Sequence, residues 1–147
     1  MNTKKKAIIG GIIACFILVT TTAIAMPTSE ERIIEDLITT RNETLSEFYD
    51  GGLSIEEAGK TIKEIESGLL MQQDLDNLER YFQTDIDQVD GFEIKNIEVT
   101  KSDEDMICAT VFIKWDIETV TGSDSFLCDY SVIVKKEKNS YKLVQFY

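Results

Sequence analysis

Asp85, Asp87 and Asp90, followed by Gly91, stand close to the spacing at which carboxylates and a turning glycine hold calcium. The glycine comes one residue late, and Asn96 occupies the position twelve along from Asp85 where a bidentate glutamate is needed. The segment therefore reads as a solvated helix-to-strand loop with turn-forming aspartates. Nothing in the sequence calls for a metal or a cofactor. Histidine is absent, which removes Ser-His-Asp and Cys-His nucleophile pairs and every imidazole ligand. Acid–base work near neutral pH would fall to a perturbed carboxylate, tyrosine or lysine. Asp116 and Asp129 are the carboxylate candidates. Each lies beside apolar strand residues, so alternation turns it to the opposite face from Trp115 or from Cys128 and Tyr130.

Trp115 and Phe112, with Tyr81 at the rim, are candidates to line a ligand pocket between a sheet and helices. Apolar aromatics in such strands also serve simply as core. Met106, Cys108, Thr110 and Phe112 make the other face of their strand more apolar than a free surface requires, so another element or a partner is expected to cover it. Asn42-Glu43-Thr44 matches a glycosylation sequon but lies inside a predicted helix.

These residues must be positioned by helices first and strands afterwards, the order of an α+β domain. Thr28 and Glu31 form a capping box ahead of a stripe of Ile34, Leu37, Ile38, Leu45 and Phe48 that only Arg41 breaks. Gly51-Gly52 ends that helix. Ser54 and Glu57 cap a second, whose stripe is Ile55, Ala58, Ile62, Ile65 and Leu69, with Gly68 bending or breaking it. Leu70, Leu75, Leu78, Tyr81 and Phe82 carry a third helical segment.

After Gly91 the period falls to two. Phe92–Thr100 reads as a first strand, with a bulge near Lys95-Asn96 where the apolar phase shifts. Met106–Val120, Ser125–Lys136 and Ser140–Tyr147 follow as an antiparallel meander, with Tyr141, Leu143 and Tyr147 on one face of the last strand. Ser102-Asp103-Glu104-Asp105 is a charged hairpin loop, and Thr121-Gly122 and Lys138-Asn139 are turns. Pairing Val120 with Ser123 sets Trp115 beside Cys128 and puts Cys108 on the opposite face. Two free thiols are expected in that register, although export favours a disulfide.

Export follows from the N-terminus. Lys4, Lys5 and Lys6 precede an uncharged run from Ala7 to Met26, long enough as a helix to cross a hydrocarbon core. Positive charge stays inside, so residues 26–147 form a single extracytoplasmic domain. Three fates of residues 1–25 stay open. They can be a signal peptide cleaved after Ala25, a retained transmembrane anchor, or a lipoprotein segment with Cys15 lipidated. Without residues 1–25, the chain carries 12 basic and 27 acidic side chains, a net charge of −15. Such a surface disfavours nucleic acid, and the membrane is met only through the N-terminal segment.

A signal or anchor, a long helix, a shorter helical pair and a curved four-stranded sheet ending in Tyr141-Lys142-Leu143-Val144-Gln145-Phe146-Tyr147 together resemble the nuclear transport factor 2-like, or cystatin-like, cone superfamily. The resemblance covers about residues 28–147. It implies either an isomerase-like or ligand-binding cone with a carboxylate base, or an exported module without catalysis. The lack of histidine departs from the dehydratases of that group, and no catalytic position carries over. The reading favoured by the sequence is a non-catalytic, exported or membrane-tethered interaction module of a bacterial-type cell envelope, with a protein or envelope component as its partner.

Overall fold

Both predicted capping boxes form. Thr28 Oγ1 accepts from the Glu31 amide at 3.2 Å while Glu31 Oε2 accepts from the Thr28 amide at 2.7 Å. Ser54 and Glu57 repeat the exchange at 3.2 and 3.0 Å. Each box satisfies amides that a helix start leaves without partners. The computed structural model describes residues 26–80, 89–119 and 122–147. The boxes start α1 (Ser29–Tyr49) and α2 (Ile55–Ile65), and α3 (Gly68–Arg80) follows. Gly51 turns α1 off at φ +79°, and the Gly52 amide reaches back to the Glu47 carbonyl at 2.8 Å.

At the end of α2 the chain departs from expectation. Glu66 is extended and Gly68 has φ +67°, so α2 stops at Ile65. Leu69, expected on the stripe of α2, falls in the first turn of α3 and is exposed.

The strands are β1 (Val89–Ser102), β2 (Met106–Thr119), β3 (Gly122–Glu137) and β4 (Ser140–Phe146). They form one antiparallel sheet in the order β1-β2-β3-β4. Three helices on this sheet make the α+β fold that the sequence predicts. The expected bulge is present, between Ile94 and Asn96, with others between Val89 and Gly91 and between Val99 and Lys101.

Two details of register differ. Thr119 pairs with Gly122, so Trp115 faces Phe126, and Cys128 faces Ile113 instead of Trp115. A slide by an even number of residues leaves every side chain on its face, so the apolar pattern alone cannot distinguish the two registers. In β4, Val134 pairs with Leu143 but Val132 with Phe146. The extra residue at this bulge turns Phe146 inward with Leu143. Tyr147, expected on that face, is exposed.

The core has two parts. Ile34 and Ile38 of α1 pack with Leu70 on Ile107, Ala109, Val111, Ile113, Val132, Val134 and Leu143 of the sheet. Phe48, Ala58, Ile62 and Leu78 join the three helices to one another. Residues 1–25, Tyr81 and most of the Asp85–Gly91 loop lie outside the described residues. Among the described residues, no helix is long and apolar enough to cross a membrane.

Candidate functional site

One aromatic from each strand lines up across the helix-facing side of the sheet. Phe92 of β1 meets Trp115 of β2 with ring centroids 5.8 Å apart, and Trp115 meets Tyr130 of β3 edge-on at 6.2 Å. Tyr130 stacks on Phe146 of β4 at 4.4 Å. The row exists because its residues share a face, with Phe92 directly opposite Trp115 and the other pairs offset along their strands, and because the β4 bulge brings Phe146 onto that face. Trp115 Nε1 donates to the Tyr130 hydroxyl at 2.9 Å. Burial raises the Tyr130 phenol above its ordinary pKa, while the tryptophan hydrogen bond opposes that shift.

Arg41 closes the row, its guanidinium 4.9 Å from the centre of the Phe146 ring. The break in the α1 stripe is thus a buried junction. Arg41 Nε lies 3.0 Å from Glu66 Oε1, and Nη2 lies 2.6 Å from Asp74 Oδ2. Nη1 also donates to Asn42 Oδ1 at 3.3 Å. Glu66 is 1% exposed, and among the described residues its Oε2 and Asn42 Nδ2 have no hydrogen-bond partner. One guanidinium cannot neutralise two carboxylates out of water. Burial first, and Asp74 next, push the Glu66 carboxyl up to about 8, against the pull of Arg41.

Sequence reasoning passed over this cluster. Two signals were present: Arg41 on an apolar stripe, and Asp74 between Leu70 and Leu78 at helical spacing. Their meeting with Glu66 depends on how α1, α2 and α3 pack, which spacing within one helix does not encode.

The candidates named from sequence separate. Trp115 belongs to the row. Phe112 pairs with Asn96 and Asp129 on the outer face, so it shares no pocket with Trp115, and Tyr81 lies outside the described residues. Asp116 is also on the outer face, held by Lys114 at 2.8 Å and by the Ser125 hydroxyl, and both contacts lower its pKa. Asp129 is exposed on the same side. Asn42 of the sequon is buried, as is Thr44, whose hydroxyl bonds the Thr40 carbonyl. A hollow of about 440 Å³ opens elsewhere, between the start of α1 and the β1–β2 turn, where Glu30, Asp103, Glu104 and Asp105 line it.

Among the described residues, the sheet continues beyond the aromatic row without further packing on the core. Val89, Phe126 and Leu127 there are 38%, 43% and 61% exposed. The arrangement offers apolar and stacking contact next to an open strand edge, and its buried carboxylate is sealed away from solvent.

The fold is an α+β sandwich of three helices on a four-stranded antiparallel meander. Among solved structures it is similar to the intermembrane space region of the chloroplast protein ARC6, with a TM-score of 0.51 and 14% identity. The match covers 82% of this chain and 97% of that one. At this identity the likeness shows the fold alone. No family model and no curated protein matches the sequence.

Proposed function

We propose that the chain is an exported or membrane-tethered interaction module without catalysis, which holds a protein partner on the uncovered end of its sheet. The observation that carries this reading is the apolar end of the sheet, where Phe126 and Val89 are exposed beside the half-buried Trp115. Exposed apolar side chains next to a row of aromatic rings suit protein contact better than small-molecule chemistry, because aromatic anchors dominate interface energetics. The carboxylates considered as bases support the same view. Asp116 is held by a lysine and a hydroxyl on the outer face, and Asp129 is exposed on that same face.

The export segment places the module outside the cytoplasm in this reading. The kinship with cone-fold proteins belongs to the same proposal and rests on element order. That the similar ARC6 region is an intermembrane-space one fits an envelope setting.

A photo-crosslinking residue at Phe126, in the full chain expressed in cells, tests the proposal. The expected result is a discrete adduct with another protein that disappears in Trp115→Ala and does not form from Glu79 on α3. An adduct formed equally from Glu79, or none from Phe126, would overturn it. A reporter fused after Tyr147 should work only outside the cytoplasm.

A further inference from the structure

We infer that the open half of β3, from Ser123 to Tyr130, accepts an added strand from a partner polypeptide, an extended segment in which apolar residues alternate with lysine or arginine. This rests on the interaction-module reading and specifies its partner chemistry.

The sheet treats its edges unequally. β1 carries three register shifts and both Lys95 and Lys101, devices that discourage strand addition. β4 is covered by the link between α2 and α3: the Ser67 amide donates to the Leu143 carbonyl at 3.0 Å, and Glu66 bridges to Leu143. β4 in turn covers β3 only from Ser131 onward, where Ser131 and Tyr147 exchange backbone hydrogen bonds. From Ser123 to Tyr130, β3 pairs with no strand on that side among the described residues. Its ladder with β2 runs from Gly122 to Lys135 without a register shift, and from Gly122 to Val134 it contains no proline, lysine or arginine.

The Ser131 amide and carbonyl point toward β4, so alternation sends those of Ser125, Leu127 and Asp129 to the open edge. The Ser125 amide already donates to Asp124 Oδ1 at 2.8 Å, so a strand laid there would complete the hydrogen bonds of Leu127, of Asp129 and of the Ser125 carbonyl. On the helix-facing side its alternate residues would meet Phe126 and Tyr130. On the outer side Asp129 is an exposed acid, and cross-strand pairing favours a basic residue beside it, while Asp124 lies on the helix-facing side at the far end of the open segment. A second copy fits poorly, because it would bring an equally acidic edge and a chain of net charge −12.

The test uses a labelled peptide of about six residues alternating valine and lysine, with a valine–glutamate peptide as control. Binding to the full chain is followed by fluorescence anisotropy. Leu127→Pro removes an edge amide without touching the β2 ladder, since proline is tolerated on an edge strand. Leu127→Ala keeps the amide, and Asp129→Lys reverses the charge.

The expected result is salt-sensitive binding of the basic peptide only, weakened at least about tenfold by Leu127→Pro and several-fold by Asp129→Lys. Leu127→Ala should change it little. Equal binding of both peptides, no binding, or indifference to Leu127→Pro in a variant that keeps the wild-type circular dichroism would overturn the inference. So would concentration-dependent dimerisation lost in Leu127→Pro, which would assign the edge to a second copy. A Phe126 crosslink that survives Leu127→Pro leaves the interaction module standing and removes only the strand addition.

Discussion

Arg41 Nε and Glu66 Oε1 lie 3.0 Å apart, joining the middle of α1 to the residue that ends α2. Because Glu66 also bridges to Leu143, this one contact ties α1, the α2–α3 link and β4 together. Asp74 adds α3 at 2.6 Å.

Removing the cation should therefore be severe. Arg41→Met leaves the buried Asp74 and Glu66 carboxyl groups without their shared cation, a change expected to cost about 3–5 kcal/mol. Arg41→Lys should fall between this and wild type, since an ammonium cannot serve both carboxylates through a planar fork. Urea unfolding measures both. A loss below about 1 kcal/mol for Arg41→Met would show that the junction contributes little.

The same junction sets a pH dependence. Glu66 titrates near 4.5 when unfolded and is pushed up to about 8 in the fold. The folded state thus holds a proton that the unfolded chain releases, so this contribution is full below 4.5 and declines as pH rises toward 8. Glu66→Gln mimics the protonated acid. Its unfolding midpoint should fall less than that of wild type between about pH 5 and 8, and should exceed it at the upper end. Parallel midpoints in the two proteins across that window would reject the assignment.

How much of this was legible in the sequence follows from the range of each signal. Thr28 with Glu31 and Ser54 with Glu57 act over a single turn, and both boxes form as read. The phase change between Ile94 and Ile97 was visible because a bulge leaves its mark within one strand. The face of Trp115, Tyr130 and Val132 was readable for the same reason. Their partners were not, since sliding β3 by two residues preserves every face. Phe146 was missed because its inward turn needs a bulge that β4 shows only when paired with β3. Arg41 stood out in its stripe, but the carboxylates that hold it come from elsewhere in the chain.

Tyr130→Phe isolates one link of the aromatic row. It removes the acceptor for Trp115 Nε1, which is 2.9 Å away, while keeping the ring stacked on Phe146. Both residues are half-buried, so water can replace the lost partner, and the cost should sit near the low end of about 0.5–1.5 kcal/mol. Trp115 is the only tryptophan in the chain, so its emission reports this contact directly. The spectrum should change in Tyr130→Phe and not in Tyr141→Phe. An unchanged spectrum in both would mean that the bond does not persist in solution.

Cys108 and Cys128 should both remain thiols even after export. Cys108 pairs across to Ile133 on the outer face, and Cys128 pairs across to Ile113 on the helix-facing side. A bridge would have to pass through the sheet. It would also have to span the strand distance from Cys108 to Ile113, about 17 Å at roughly 3.3 Å per residue, whereas disulfides need Cα atoms within about 7 Å. Both cysteines are free in the structure. Protein recovered from an oxidising compartment and denatured without reductant should therefore titrate two thiols if residues 1–25 are cleaved. A retained, unlipidated segment adds Cys15 and raises the count to three. A monomer on a non-reducing gel with neither Cys108 nor Cys128 reactive would break the register of β2 with β3, and with it the alternation that places Trp115, Phe126 and Tyr130 on one face.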